Sequence, residues 1–373
     1  MDKHLHIISF DVPYPADYGG AIDVFYKIKA LHKLGIKIHL QTYEYGRGQQ
    51  EELLKYCETV NYYKRDTGFK GFSFSLPYIV NSRGNEEMIR KILNDDFPVL
   101  MEGLHTTFFY NHPDFLKRKV VLRAHNVESL YYTGLAETTD NILKKIYYRN
   151  ESRLLEKYEE EVVKKIPTLF MTLHDAGHYN NSNEFASWGL LPVFHSNKKL
   201  HCQEGLGTYC LYHGNLSIPE NEKTAIWLLE SVFNDLPVPF VIAGKNPSKK
   251  LENLVYEKQH TCLVANPGEP ELNDLIQRAQ INILPAFNTT GIRLKLINAL
   301  YNGRHCVVND DMVCSTNLES TCHIGNNAAG MKSVLIQLYH KPFTEDEIKL
   351  RENLLNNYYN NETNARKLIQ WLY

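Results

Sequence analysis

The sequence predicts an α/β protein of two domains, each a parallel sheet dressed with helices, facing each other across a cleft. Three observations lead there. The chain of 373 residues exceeds the roughly 250–300 residues at which a single core stops growing. Short apolar runs alternate with helix-period segments, which is the pattern of βαβ units. That alternation occurs twice, on either side of an aperiodic stretch at 191–207 rich in His, Lys and Gly.

LHIISF (5–10) reads as a buried strand and DVPYPADYGG (11–20) as a turn-rich loop. In AIDVFYKIKALHKLG (21–35), Val24, Phe25, Ile28 and Leu31 share a helical face, and Gly35 supplies the stop. IKIHLQT then alternates as a strand, completing a βαβ unit with a right-handed crossover. Further strands are predicted at 98–103, 119–126 and 168–173, with a long charged helix at 143–165 before the last of them. The second half predicts strands at 208–214, 240–244, 261–266, 281–286 and 305–310, alternating with helices such as 220–233. The tail reads as a helix that packs back toward the first domain. The expected division is 1–190, a hinge at 191–207, a second domain at 208–355, and a terminal helix at 356–373.

Lys+Arg is 41 and Asp+Glu is 43, a net charge of −2, which argues against a dedicated nucleic-acid binder. The seven cysteines contain no CxxC pair, and the spacing of Cys306, Cys314 and Cys322 is unlike a zinc site. Reduced thiols and no metal are the expectation. Nothing resembles a signal peptide or the roughly 20 apolar residues of a membrane span, so a cytoplasmic protein is expected, soluble or peripheral at the inner membrane face. In 62–78, Lys64, Arg65 and Lys70 mix with Phe69, Phe72 and Phe74. Such a segment either rests among lipid headgroups or folds its rings onto the first domain.

Ligands of open parallel sheets sit outside the carboxyl ends of the strands, so the βα loops are where chemistry is sought. Gly19-Gly20 after the first strand lets a backbone approach an anion at a helix start, and equally suits a plain tight turn. His125 follows a strand directly, facing the expected cleft, with Glu128 or Asn126 placed to hold its ring for proton transfer; a structural histidine is the alternative. Thr290-Gly291 leads into a helix carrying Arg293 and Lys295. Cations at a helix start oppose its dipole by about 0.3–1 kcal/mol each, so either they point to solvent or a diphosphate docks there.

Taken together, the Gly-Gly loop, RAHNVES (123–129), YHGNLSIPEN (212–221), VIAGKNP (241–247) and LPAFNTTGIRLKLINALYNGRHCVV (284–308) resemble the retaining glycosyltransferases of the GT-B fold, family 4-like, or glycosyl transferases group 1. The resemblance spans nearly the whole chain, and its last motif is the most specific. It implies two Rossmann-like domains and no cofactor or metal. A UDP- or GDP-linked sugar donor would be held mainly by the second domain, and a glycan or lipid-linked acceptor of surface polysaccharide synthesis by the first. Arg293 and Lys295 match the family's cationic pair, Gly19 and Gly20 its phosphate-covering loop, and His125 its sugar-contacting histidine. Gly214, Asn215, Gly244, Lys245, Thr290, Gly291 and Asn298 would line the donor site.

The sequence departs from that family at four places. Asn298 and Thr290 stand where glutamates are usual, and Asn215 and Glu220 replace an Arg and a Lys. Losing a charged hydrogen-bond partner costs about 1.5–3 kcal/mol, so altered donor recognition is expected. Two other readings stay open: a sugar-nucleotide epimerase of the same architecture, which would epimerise donor without acceptor, and a weakly catalytic or non-catalytic sugar-nucleotide-binding paralogue.

Overall fold

The structure is a computed structural model describing residues 2–139, 141–179, 186–287 and 293–373. The chain forms two compact units. The first runs to Ser196 and takes in Tyr359–Tyr373, and the second runs from Asn197 to Tyr358.

The first unit holds a seven-stranded parallel sheet: β1 (His4–Ser9), β2 (Lys37–Glu44), β3 (Thr59–Lys64), β4 (Val99–Glu102), β5 (Val120–Arg123), β6 (Thr168–Phe170) and β7 (Trp188–Leu190), in the order β3-β2-β1-β4-β5-β6-β7. Leu5 and Ile7 face one layer, with Val24, Phe25, Ile28 and Leu31 of the helix Gly19–Lys33. Ile8, Val99 and Met101 face the other, with Leu155, Tyr158 and Val162 of the long helix Ile142–Lys165. Both faces are covered, which is why these strands are nearly continuous apolar runs.

The stop at Gly35 has a mechanism. Gly35 adopts φ +82, its N–H bonds His32 O at 2.9 Å, and the N–H of Ile36 bonds Leu31 O at 3.1 Å. That is a Schellman closure, sealed by the Leu31–Ile36 pair in the core. The terminal helix Asn361–Leu372 packs on the helix Gly19–Lys33 and sends Ala365, Leu368 and Leu372 into the same layer.

The second unit holds a six-stranded parallel sheet: β8 (Cys210–Asn215), β9 (Phe240–Lys245), β10 (Thr261–Ala265), β11 (Ile281–Ile283), β12 (His305–Val308) and β13 (His323–Ile324), in the order β10-β9-β8-β11-β12-β13. The sequence pattern predicts the inner strands and the edge strand β10, and passes over β3, β7 and β13. These three are edge elements, short or half-exposed, and so carry no clear apolar run.

In each sheet the strand order reverses at one place, between β1 and β4 and between β8 and β11. Connections leave in opposite directions there and open a crevice at the strands' carboxyl ends. The β8–β9 contact is close beside that reversal. A Cβ on Gly244 would lie 2.0 Å from Gly214 O, so the two strands meet backbone to backbone. Gly244→Ala is expected to destabilise the second unit by about 1–3 kcal/mol through overpacking, seen by calorimetry as a lower transition temperature.

Candidate functional site

At the reversal in the first sheet, β4 ends on Glu102 and β5 runs into His125, both buried. Lys27 of the first helix donates to both oxygens of Glu102 at 2.7 Å and to Asp23 Oδ2 at 2.9 Å. Arg123 Nε lies 3.7 Å from Asp23 Oδ2, and Asp23 Oδ1 accepts the N–H of Phe194 at 2.7 Å. Two carboxylates and two cations meet here; burial is the largest single influence on Asp23 and raises it, but Lys27, Arg123 and the other neighbours together hold it well below the usual carboxylate range. His125, Glu102 and Asp23 have the makings of a metal triad. The Lys27 ammonium occupies it instead.

His125 Nε2 lies 2.8 Å from Glu102 Oε2, a hydrogen bond in which the ring gives its Nε2 proton to the carboxylate. Its Nδ1 is buried with no hydrogen-bond partner. This corrects the sequence expectation twice. Glu102 from β4 holds the ring, whereas Glu128 and Asn126 do not, and His125 is only 4% exposed. Glu128 lies in a different environment: burial pushes its carboxyl up to about 7. Its own N–H and that of Ser129 are received by Glu159, which thereby satisfies the start of the helix Glu128–Thr138. Sequence spacing cannot reveal Glu102 as the partner, because it is 23 residues away and arrives by strand pairing of β4 with β5.

Gly19 and Gly20 open the first helix, whose preceding residue, Tyr18, makes no side-chain cap. Uncapped N–H groups suit an anion. Gly20 has a packing reason as well, since a Cβ there would lie 2.5 Å from the Phe10 ring.

At the reversal in the second sheet, the helix Leu294–Asn302 starts on Arg293 with no acidic residue in its first turn. Neither cation turns outward to solvent. Both are half-buried: Arg293 donates to Asp311 O at 3.2 Å, and Lys295 reaches Asn221 Oδ1 at 3.4 Å with Nζ 5.6 Å from the Tyr212 ring centre. Burial pushes the Lys295 ammonium down to about 8, with Glu220 opposing and Arg293 reinforcing. Beside it His213 is buried and pushed down to about 3, first by burial and then by Lys295.

Gly214 and Gly244 are the paired strand ends, and Asn215 folds its side chain onto Ser217. Lys245 is exposed at the end of β9. Asn298 lies one turn beyond Lys295, but its amide is engaged by Asn302 at 2.8 Å and by Asn197 and Asn273 at 3.5 Å. Thr290 and Gly291 lie outside the described residues.

The Glycosyl transferases group 1 family model matches residues 207–340, and so covers this second reversal. Among curated proteins, one described as an "uncharacterized 44.6 kDa protein in cps region" of Klebsiella pneumoniae is 26% identical over 317 residues, covering 79% of this chain and 80% of that one. Residues 207–340 are therefore a glycosyl transferases group 1 domain, and the chain is a glycosyltransferase. Its fold agrees with solved structures. TarM superposes with a TM-score of 0.68 at 12% identity, covering 100% of this chain and 99% of that one. The α,α-trehalose-phosphate synthase (UDP-forming) of Burkholderia xenovorans superposes with a TM-score of 0.62 at 11% identity, with 99% of each chain covered. The architecture is GT-B.

Glu159 generates a pH prediction for this glycosyltransferase. Burial raises its carboxyl from 4.5 to about 8 in the folded chain. Its contribution is whole below about 4.5, declines as the unfolded chain ionises, and stops declining above about 8. Glu159→Gln is expected to flatten that fall in urea midpoints measured between those two values, leaving the smaller decline due to Glu128.

Proposed function

We propose that this glycosyltransferase retains anomeric configuration, works without a metal ion, and moves a sugar from a UDP- or GDP-linked donor to a glycan or lipid-linked acceptor of a surface polysaccharide. The observation that carries the reading is the half-buried Arg293–Lys295 pair at the strand-order reversal of the group 1 domain. Support for a UDP donor comes from the fold relative described as UDP-forming, and support for polysaccharide from the relative in a cps region.

In this mechanism the departing diphosphate gathers negative charge, and preorganised charges aimed at it lower the barrier without reorganising. Lys295 and Arg293 supply them, with the uncapped N–H groups of their helix. Glu220 favours the protonated form of Lys295. Glu102 fixes the His125 ring through Nε2, and Nδ1 meets a hydroxyl of the sugar once substrate binding uncovers that buried nitrogen. UDP is expected to raise the melting temperature, and Lys295→Ala to lower turnover by about 10²–10³-fold with stability retained. Wild-type turnover in that variant refutes the assignment.

A lipid-linked acceptor calls for contact with a membrane, and the first unit has a surface of that chemistry. Phe69 and Phe74 are 100% and 91% exposed, and Phe72 packs against Phe74 instead of folding inward. Ile142, Leu143 and Ile146, at the start of the long helix, are exposed too, and Tyr147 shares an apolar pocket with Phe69 and Phe72. Lys64, Lys70 and Lys144 are exposed around these rings. Aromatic and aliphatic side chains interleaved with lysines suit an anionic headgroup layer. Flotation with anionic vesicles is expected for the wild type and lost in Phe69→Ser/Phe74→Ser; equal flotation of both excludes this face. No helix among the described residues is long and apolar enough to cross a membrane.

A further inference from the structure

At the amino end of β12, away from Lys295, His305 is completely buried. Its Nε2 lies 3.0 Å from Lys341 O, a bond that requires the ring proton on Nε2. Nδ1 then carries a lone pair, has no hydrogen-bond partner, and faces Glu347 Oε1 at 3.5 Å. Two electron-rich atoms confront each other in a site screened by the Phe343 ring, 5.2 Å from that of His305. Glu347 is itself aimed: its other oxygen accepts from the N–H and the hydroxyl of Thr344, both at 2.9 Å, leaving Oε1 for the histidines. His323, the first residue of β13, brings Nε2 to 4.0 Å from the same Oε1. All three donor atoms lie within 4.8 Å of one another.

We propose that His305, His323 and Glu347 bind a divalent transition-metal ion of the zinc class. Two imidazoles and a carboxylate are a donor set such ions accept, and bonds of about 2.0–2.2 Å at a tetrahedral centre need donors about 3.3 Å apart. The spacings of 3.5 and 4.0 Å approach that, so small side-chain rotations close the site. The outer partners are in place as well. Ligating histidines commonly give their second nitrogen to a carbonyl, as His305 does to Lys341, and ligating carboxylates are themselves hydrogen-bonded, as Glu347 is by Thr344. His323 and Glu347 are 33% and 27% exposed, which gives the ion a route in and leaves a fourth position for water.

The sequence spacing of Cys306, Cys314 and Cys322 points away from this site. Val307 pairs with His323, so His305 and His323 project from one face of the sheet and Cys306 and Cys322 from the other. Bound there, the ion ties β12, β13 and the helix Glu345–Tyr358 together at the edge of the sheet. This role is structural and independent of sugar transfer.

The test is titration of the full chain, stripped by chelator, with Co²⁺. Expected are saturable visible bands of a four-coordinate nitrogen–oxygen site at one ion per chain, displaced by Zn²⁺, without thiolate charge-transfer bands. His323→Ala and Glu347→Gln, each checked for folding by circular dichroism, are expected to weaken binding by about tenfold or more. His323 is partly exposed, so its variant reports binding and not collapse of the core. Absent bands in the wild type, bands unchanged in His323→Ala, or dominant thiolate bands each overturn the proposal.

Discussion

One buried ammonium holds the first unit's crevice in shape. Lys27 lies between Asp23 and Glu102, all three shielded from water. Removing one partner of such a group leaves an uncompensated buried charge, costing about 3–5 kcal/mol. The same contacts set several positions together. Lys27 and Asp23 belong to the first helix, Glu102 ends β4, and His125 leaves β5. Asp23 also receives the backbone of Phe194, so the segment that leaves this unit is fastened to the same point. The histidine's orientation is thus a consequence of the same charged cluster in the core.

The second unit solves a related problem by another route. Its crevice gathers two cations: burial pushes the Lys295 ammonium down, Glu220 opposes that, and Arg293 adds to it. A negative charge brought beside a lysine held down in this way favours its charged form again. The asparagines around Asn298 fit the same picture. At Asn298 the chain places a neutral amide already engaged by Asn197, Asn273 and Asn302. Any further hydrogen-bonding group that reaches it competes with those bonds.

The fold was largely legible in the order of the residues, because alternation of apolar runs with amphipathic helices has few parallel-sheet solutions. The spacing of Val24, Phe25, Ile28 and Leu31 is enough to define a helical face, and Gly35 marks its end. Peripheral strands such as His323–Ile324 were not legible, since two half-exposed residues carry no period. Arg293 and Lys295 were conspicuous as cations at an unfavourable end of a helix, a local anomaly that needs no long-range knowledge.

Sequence by itself determined the architecture, the βα loops worth examining, and the cationic pair, because each depends on periodicity or on charges a few residues apart. Only the tertiary structure decided that Glu102 and not Glu128 holds His125, that Phe69 and Phe74 stay outside the core, and that His305, His323 and Glu347 converge. Those outcomes are set by which strands pair and in what register, bringing together residues whose separation along the chain bears no relation to their separation in space.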